Sequence, residues 1–298
     1  MDRNAVIIIT GAAGFIGSCL TGYLNRKGYN NIVIVDDFNE EGKRHNYEEK
    51  KICARVDKDE LFDWLDRYQI RIDFIFHMGA YTVNGNPDAN SRAEENLDYA
   101  KRVWNVGREK QIPLVFASSP GLDQWVLQEA AENRQPSFWA GLQLENIYGP
   151  NEYHKGKNAS QVYHLFRQAE ETGSIRLEEP DKNRVKLYDW VYVKDVVDSC
   201  YWLMQTSAEG TSVAAGLYRI ASGETKTMDD LAKAITDSMD KKVTLRYTGA
   251  AEAGTSPAAV RPTLQKSIIE AGYGKKFYSL EEGIKTYIRH FLASNKYY

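Results

Sequence analysis

The chain lacks most of the features that mark a specialised protein class. Only 3 cysteines occur in 298 residues (Cys19, Cys53, Cys200), and none are at Cys-x-x-Cys spacing. An odd, scattered set forms no disulfide framework and reads as small buried hydrophobes in a reducing compartment. Positive charge is not in excess: 38 Lys+Arg stand against 41 Asp+Glu, a formal charge of -3. With no basic surplus to neutralise a phosphate backbone, nucleic acid is not an expected partner. Long apolar runs are missing too. The longest aliphatic stretch, Ala5 to Ile9, is far too short for a bilayer span or a signal-peptide core, so no membrane partner is expected. The tyrosines and tryptophans have no interleaved basic residues and do not read as base-stacking platforms. His45, His77, His164 and His290 are not grouped with cysteines or acids at ligand spacing, and no metal is expected. These absences predict a soluble, cytoplasmic globular protein.

A hydrophobic content of 43% over this length can bury the core of one large α/β domain or two modest ones. Ala5 to Ile9 reads as a buried strand, followed by a glycine-rich turn. A helix then runs from about Phe15 to Lys27, with Ile16, Leu20, Tyr23 and Leu24 at helical spacing and Gly28 closing it. Ile32 to Val35 is a second buried strand, ending on Asp36-Asp37. Asp59 to Tyr68 reads as an amphipathic helix, Ile72 to His77 as a strand, Glu94 to Lys110 as a helix and Leu114 to Ser119 as a strand. Such alternation means crossover units and a parallel sheet covered on both faces. From about Tyr148 the alternation weakens. Trp190 to Val193 and Gly216 to Ile220 look like late strands returning to the sheet, and Thr227 to Met239 like a separate helix. The expected fold class is α/β, a doubly wound parallel sheet with a smaller α/β lobe at the carboxyl ends of its strands, where open sheets bind ligands.

Thr10-Gly11-Ala12-Ala13-Gly14-Phe15-Ile16-Gly17 joins the first strand to the first helix. The first glycine permits a tight turn, the second lets the backbone approach a pyrophosphate, and the third lets helix and strand pack closely. The helix start offers amide donors to the phosphates. Asp36 lies 19 residues past Gly17, at the end of the second strand, where a carboxylate binds a ribose diol and favours NAD. Lys43 and Arg44, in the next loop, are placed to hold a 2′-phosphate, or are solvated loop residues.

The Thr-Gly-x-x-Gly-Phe-Ile-Gly spacing, His77-Met78-Gly79-Ala80 and Phe116-Ala117-Ser118-Ser119 together resemble the extended short-chain dehydrogenases that epimerise nucleotide sugars. A narrower likeness lies in Tyr148-Gly149-Pro150-Asn151-Glu152-Tyr153-His154-Lys155-Gly156-Lys157-Asn158-Ala159-Ser160. This segment is similar to the YGPxExHKGxxAS signature of the ADP-L-glycero-D-manno-heptose 6-epimerases. The likeness extends to Val56-Asp57-Lys58-Asp59, Asn96-x-x-Tyr99-x-Lys101, Asp189-Trp190-Val191-Tyr192-Val193 and Ala271-Gly272-Tyr273. It implies a Rossmann-like NAD(P)-binding domain over residues 1–146 and 187–222, and a substrate-binding lobe over 147–186 and 223–298. The cofactor residues it implies are Gly11, Ala13, Gly14, Phe15, Ile16, Gly17, Asp36, Asp37, Lys43, Lys58, Met78, Gly79, Ala80 and Asn96. Lys43 falls where the family has a lysine near the 2′-phosphate, which moves the expectation to NADP, with NAD as the alternative. The implied catalytic residues are Lys155, Ser118 and Ser119, and the implied substrate-binding residues Asn146, His154, Lys155 and Ser160. A nucleotide-sugar substrate and a homo-oligomer are also implied. In the family, NADP takes a hydride from the heptose, the keto intermediate reorients, and the hydride returns to the other face.

The family's Tyr-x-x-x-Lys pair is missing, because no tyrosine lies between Tyr99 and Tyr148. About two dozen residues that the family carries after Ser119 are absent, and the chain passes through Pro120-Gly121-Leu122-Asp123 directly into a helix. Tyr23/Lys27 and Tyr47/Lys51 share the spacing but lie elsewhere and read as coincidence. In the pair the two side chains share one helix face, and the ammonium lowers a tyrosine pKa from about 10 toward working pH. Such proton transfer is worth roughly 10²–10⁴ in rate, about 3–5 kcal/mol. Several groups are candidates to replace it. Lys155 needs burial or cationic neighbours to act as a base, and it reads equally as a phosphate anchor or a loop lysine. His154 has the better intrinsic pKa but nothing evident to orient it. Ser118 and Ser119 position a hydroxyl but need a base beside them. Asp123 and Glu129 are near in sequence and read as helix-surface charge. A tyrosine from elsewhere, such as Tyr81 or Tyr148, would fill the gap if it reached the nicotinamide.

At the nucleotide end Tyr188 stands where the family has arginine, and no arginine occurs around Gly254 to Ala259. Lys157, Arg184, Lys186 or Arg261 would have to grip a diphosphate instead. Three functions follow from these readings. The first is an NADP-dependent nucleotide-sugar epimerase with altered acid/base groups. The second is a non-catalytic dinucleotide-binding descendant acting as a regulatory or assembly subunit. The third, ranked last, is a reductase for another small carbonyl compound.

Overall fold

A computed structural model of the chain describes residues 1–79, 89–179, 186–210, 213–250 and 266–298. In chain order it runs β1 (Ile7–Thr10), α1 (Phe15–Arg26), β2 (Ile32–Asp36), α2 (Arg44–Tyr47), β3 (Ala54–Asp57), α3 (Leu61–Tyr68), β4 (Phe74–His77), α4 (Ala89–Glu109), β5 (Leu114–Ala117), α5 (Pro120–Ala131) and β6 (Trp139–Leu144). It continues with β7 (Ile147–Tyr148), α6 (Gln161–Thr172), β8 (Ser174–Glu179), β9 (Val191–Tyr192), α7 (Val193–Ala208), β10 (Gly216–Ile220), α8 (Met228–Ser238), β11 (Thr244–Ala250), β12 (Lys266–Ser267) and α9 (Leu280–His290).

Eight strands form one parallel sheet in the order β12-β10-β6-β5-β4-β1-β2-β3. Parallel neighbours cannot be joined by tight turns, so helices cross over on both faces, and strands buried on both faces become continuous apolar runs. Alternate residues of β1 show the two sides. Ile7 and Ile9 pack with Leu20 and Leu24 of α1 and with Cys200 and Leu203 of α7. Ile8 packs on the opposite face with Leu65 of α3, Trp104 of α4 and Val126 of α5. β1 lies between β2 and β4, so strand order reverses at β1 and opens a crevice at the carboxyl ends of β1 and β4. The fold class is the doubly wound parallel sheet that the alternation predicts.

Two further strand pairs, β8–β11 and β7–β9, sit apart from this sheet, and α6, α8 and α9 pack around them. The late segment also returns β12 to the large sheet, alongside β10. One strand expectation is corrected here. Trp190 to Val193 does not rejoin the large sheet: only Val191–Tyr192 is extended, and it pairs with Ile147–Tyr148. The reason is local, since Val193 already opens α7 with Asp195 in its first turn. β5 also ends early, at Ala117, because Ser119 takes the N-cap position of α5 and Pro120 its first turn. Among the described residues, no helix is long and apolar enough to cross a membrane.

Candidate active site

The turn after β1 has a backbone that only small residues allow. Gly11 has φ +69°, and a Cβ there would stand 2.4 Å from Gly79. A Cβ on Gly17 would stand 2.1 Å from the Gly11 carbonyl oxygen, so the helix can approach the turn only without one. The Ala13 N–H donates to Asp36 Oδ2 at 2.9 Å, tying the turn to the end of β2. Gly14, the N-cap of α1, provides no side-chain cap. The first amides of that helix have no intrahelical acceptor and are available to an anion.

This turn forms one wall of a cavity of about 710 Å³ at the carboxyl ends of β1, β2 and β4. Of the expected cofactor residues, Gly11, Gly14, Phe15, Ile16, Asp36, Lys43, Lys58, Met78, Gly79 and Asn96 line it. Ala13 and Gly17 support the turn from behind. The Asp37 carboxylate accepts the Asn39 N–H in its own loop, and Ala80 lies outside the described residues. His154, Lys155 and Asn158 line it beside the turn. A second wall was not anticipated in full: Arg92, Glu95, Asn96, Tyr99 and Arg102 of α4 all face the cavity. Their spacing of three or four residues puts them on one helix face. Of these, Asn96 is the one among the expected cofactor residues, and Tyr99 belongs to the same family-like segment.

The charges along the walls are largely paired. Lys43 Nζ sits 3.3 Å from Asp36 and 3.1 Å from Glu40. Burial disfavours its ammonium, but the two carboxylates outweigh that and hold its pKa above the usual lysine value. His154 Nδ1 is 3.2 Å from the Asn46 amide nitrogen, which also donates to the Ala13 carbonyl at 2.9 Å, so His154 is oriented after all. Burial, then the Lys43 and Lys155 charges, push His154 down to about 4, so it is neutral at pH 7. Lys155 lies with Nζ 5.3 Å from the Phe15 ring centre. Burial lowers its pKa, opposed by Glu152. Glu152 is fully buried and accepts from Gly149 N–H at 3.2 Å, Ser160 Oγ–H at 2.8 Å, Ser160 N–H and Tyr287 O–H at 3.1 Å. These bonds fix both ends of the loop that carries His154 and Lys155. Beneath the cavity, His77 Nδ1 is 2.6 Å from Thr10 Oγ1, and burial holds its pKa near about 4.

The remaining expected residues lie outside the lining. Ser160 is the N-cap of α6, its hydroxyl accepting the Tyr163 N–H. The Asn146 side chain donates to the Asp189 carbonyl at 3.3 Å. Ser119 is exposed at the start of α5, whereas the Ser118 hydroxyl donates to Asp123, 2.6 Å from each carboxylate oxygen. Asp123 is 8% exposed, which corrects its reading as surface charge. Glu129 is buried as well, but its carboxylate is held by Arg134 at 2.5 Å. Tyr148 is sealed in the core against Tyr192 and Tyr287. Lys157 sits in the same loop as Lys155, and Lys186 is exposed. Tyr81, Arg184 and Arg261 lie outside the described residues. A glycine turn, an uncapped helix start, an acid at the end of β2 and a cavity of this size fit a nicotinamide dinucleotide.

The profile of the NAD dependent epimerase/dehydratase family matches residues 7–124 and 122–216, and the two stretches meet in the first turn of α5. An ADP-L-glycero-D-manno-heptose-6-epimerase of Fusobacterium nucleatum subsp. nucleatum is 32% identical, with 98% of this chain and 100% of the relative covered. That alignment runs over 340 positions, so the relative carries stretches with no counterpart in these 298 residues. The Nitratidesulfovibrio vulgaris protein of the same name is 28% identical over 96% of this chain and 98% of its own length. In structure, the Helicobacter pylori ADP-L-glycero-D-manno-heptose-6-epimerase superposes with a TM-score of 0.74 at 22% identity, covering 97% of each chain. UDP-glucose 4-epimerase from Brucella ovis in complex with NAD gives 0.73 at 15% identity, covering 96% of this chain and 98% of that one. The chain belongs to the NAD dependent epimerase/dehydratase family, and proteins named ADP-L-glycero-D-manno-heptose-6-epimerase are among its relatives.

Proposed function

We propose that the protein is a nicotinamide-dependent nucleotide-sugar epimerase acting on an ADP-heptose, inverting one sugar carbon by oxidation, reorientation and reduction. One observation carries the reading. The glycine turn with Asp36 and the His154-Lys155 loop line a single cavity side by side, so a dinucleotide held at the turn would lie next to a sugar held by the loop. The nicotinamide supplies a hydride acceptor and donor. The protein's own groups do the rest: the start of α1 takes the pyrophosphate, Asp36 an adenosine ribose, and Lys155 a hydroxyl or phosphate oxygen of the sugar nucleotide. Burial lowers the Lys155 pKa, which makes its amine a better proton acceptor than a solvated lysine. His154, neutral at pH 7 with Nδ1 accepting from the Asn46 amide, can donate a hydrogen bond from Nε2 to the substrate.

The family likeness at Lys43 favours NADP. The geometry favours NAD at least equally, because Asp36 and Glu40 already pair with that ammonium. A 2′-phosphate would meet two carboxylates and one cation, whereas a ribose diol adds no charge. The protein is further proposed to be cytoplasmic and a homo-oligomer, with the substrate lobe over 147–186 and 223–298.

The test is proton NMR of ADP-D-glycero-D-manno-heptose incubated with the protein and NAD or NADP, alongside Lys155→Ala. Conversion to the L-glycero epimer, abolished in the variant, is the expected result. No conversion with dinucleotide bound would favour the second reading, a non-catalytic dinucleotide-binding subunit. That reading has its own support in the absence of tyrosine and lysine from α5.

A further inference from the structure

We propose that Asp123, acting through the Ser118 hydroxyl, is the proton acceptor that serves the sugar hydroxyl during hydride transfer. This rests on the epimerase reading above. Three observations carry it. First, β4 and β5 pair with His77 opposite Phe116, so Gly79 and Ser118, each two residues further on, emerge side by side at the same end of the sheet. Gly79 lines the cavity, and Ser118 stands next to it on the neighbouring strand, just beyond the lining residues. Second, the Ser118 hydroxyl points at the Asp123 carboxylate, 2.6 Å from both oxygens, while the Ser118 N–H is fixed to the Leu142 carbonyl at 2.8 Å. A serine alone is no base, but a serine whose hydroxyl already donates to a carboxylate can take the substrate's proton as it passes its own to that carboxylate. Third, the shortened chain starts α5 at Pro120, which folds Asp123 back over Ser118 within the first helical turn, at 8% exposure. The other acid on this helix, Glu129, is held by Arg134, whose side chain is 43% exposed, and has no such hydroxyl before it.

In the oxidising half-reaction the substrate hydroxyl proton passes to Ser118 Oγ, and the serine proton passes to the Asp123 carboxylate. The C–H bond would break with its electron pair leaving as hydride, which a bound oxidised nicotinamide dinucleotide would take up, and the C–O bond would become a carbonyl. The reducing half-reaction returns hydride and proton in the opposite sense, so the dinucleotide and Asp123 end as they began. Asp123 touches the substrate only through Ser118 and is in that sense a positioning and proton-accepting group.

The experiment follows single-turnover reduction of the bound oxidised dinucleotide by ADP-heptose at 340 nm across pH, with dinucleotide affinity measured by fluorescence. Asp123→Asn should lower the rate roughly 10²–10⁴-fold and remove the acidic limb of the pH profile, with affinity unchanged. Ser118→Ala should lose a similar factor, and the double variant no more than either single one, since the two act as a unit. Glu129→Gln, on the same helix and outside the site, should keep the rate. Within threefold of the wild-type rate in Asp123→Asn, an intact acidic limb, or losses that multiply in the double variant would overturn the proposal. Should Asp123→Asn fail to fold, Ser118→Ala with an unaltered acidic limb would overturn it. An inert wild type that binds dinucleotide would overturn the epimerase reading and the proposal together.

Discussion

Glu152→Gln is the substitution whose cost the structure defines best. The wild-type carboxylate is 0% exposed and has four donors aimed at it: the Gly149 and Ser160 amides and the Ser160 and Tyr287 hydroxyls. None of the four contacts asks Glu152 to donate. Three of the donors share Oε1 and the Ser160 amide alone meets Oε2, so glutamine, which offers one carbonyl oxygen and an NH₂ group, strands at least the Ser160 amide and as many as three donors. Each stranded buried donor costs about 1–3 kcal/mol, and the bonds that remain lose the charge assistance of a carboxylate acceptor. Tyr287→Phe is the internal comparison. It removes one donor and leaves three on the carboxylate, an expected loss of about 1 kcal/mol. Urea unfolding at pH 7 without cofactor reads both: the midpoint should fall far more for Glu152→Gln, with the slope unchanged. Because these bonds tether the loop that carries Lys155, the folded Glu152→Gln protein should also turn over ADP-heptose more slowly than Tyr287→Phe. A Glu152→Gln midpoint no lower than that of Tyr287→Phe would refute the reasoning.

What was legible in the sequence had a period or a fixed spacing. Ile7 to Ile9, Ile32 to Val35 and Phe74 to Phe76 are apolar on both faces and sit between helices of clear periodicity, so the sheet centre and the glycine turn could be placed from the residues alone. β3 and β6 were missed because Arg55 and Asp57, or Gly141 and Gln143, interrupt their apolar pattern. α9 was missed although its capping box, Ser279 with Glu282, stands in the sequence. At the site, the sequence supplied the residues but not their partners. The Lys43 pairing with Glu40, the neutral His154 and the α4 stripe depend on burial, which no local pattern reports. Asp123 shows this most directly. On an isolated helix its position looks exposed, and only the start of α5 at the end of β5 turns it onto Ser118. Ser160 went the other way: a serine before an apolar helix is an N-cap by its sequence context, and that is the role it has.

Two further perturbations test the walls of the cavity. His77 titrates near about 4 instead of 6.5 because burial disfavours its charged form. Below 6.5 the unfolded chain therefore binds a proton that the folded one refuses. Stability present above that pH is lost as pH falls toward 4, by roughly 3 kcal/mol. Comparing urea midpoints at pH 7 and pH 4, His77→Gln should show a smaller acid loss than the wild type, and equal losses would refute the assignment. Gly17→Ala tests the turn itself. The added Cβ would stand 2.1 Å from the Gly11 carbonyl oxygen and 2.8 Å from its carbon. Both neighbours are backbone, so relief must come from moving the turn away from α1. Overpacking of this kind costs about 1–3 kcal/mol. If that strain falls on the phosphate-binding turn, dinucleotide affinity should drop about tenfold or more, since each 1.4 kcal/mol is a factor of about ten. The discriminating comparison is with thermal stability measured without cofactor. Weakened binding with a nearly intact melting temperature locates the strain in the turn, and unchanged affinity would mean that the close approach of α1 to Gly11 does not shape the cofactor wall.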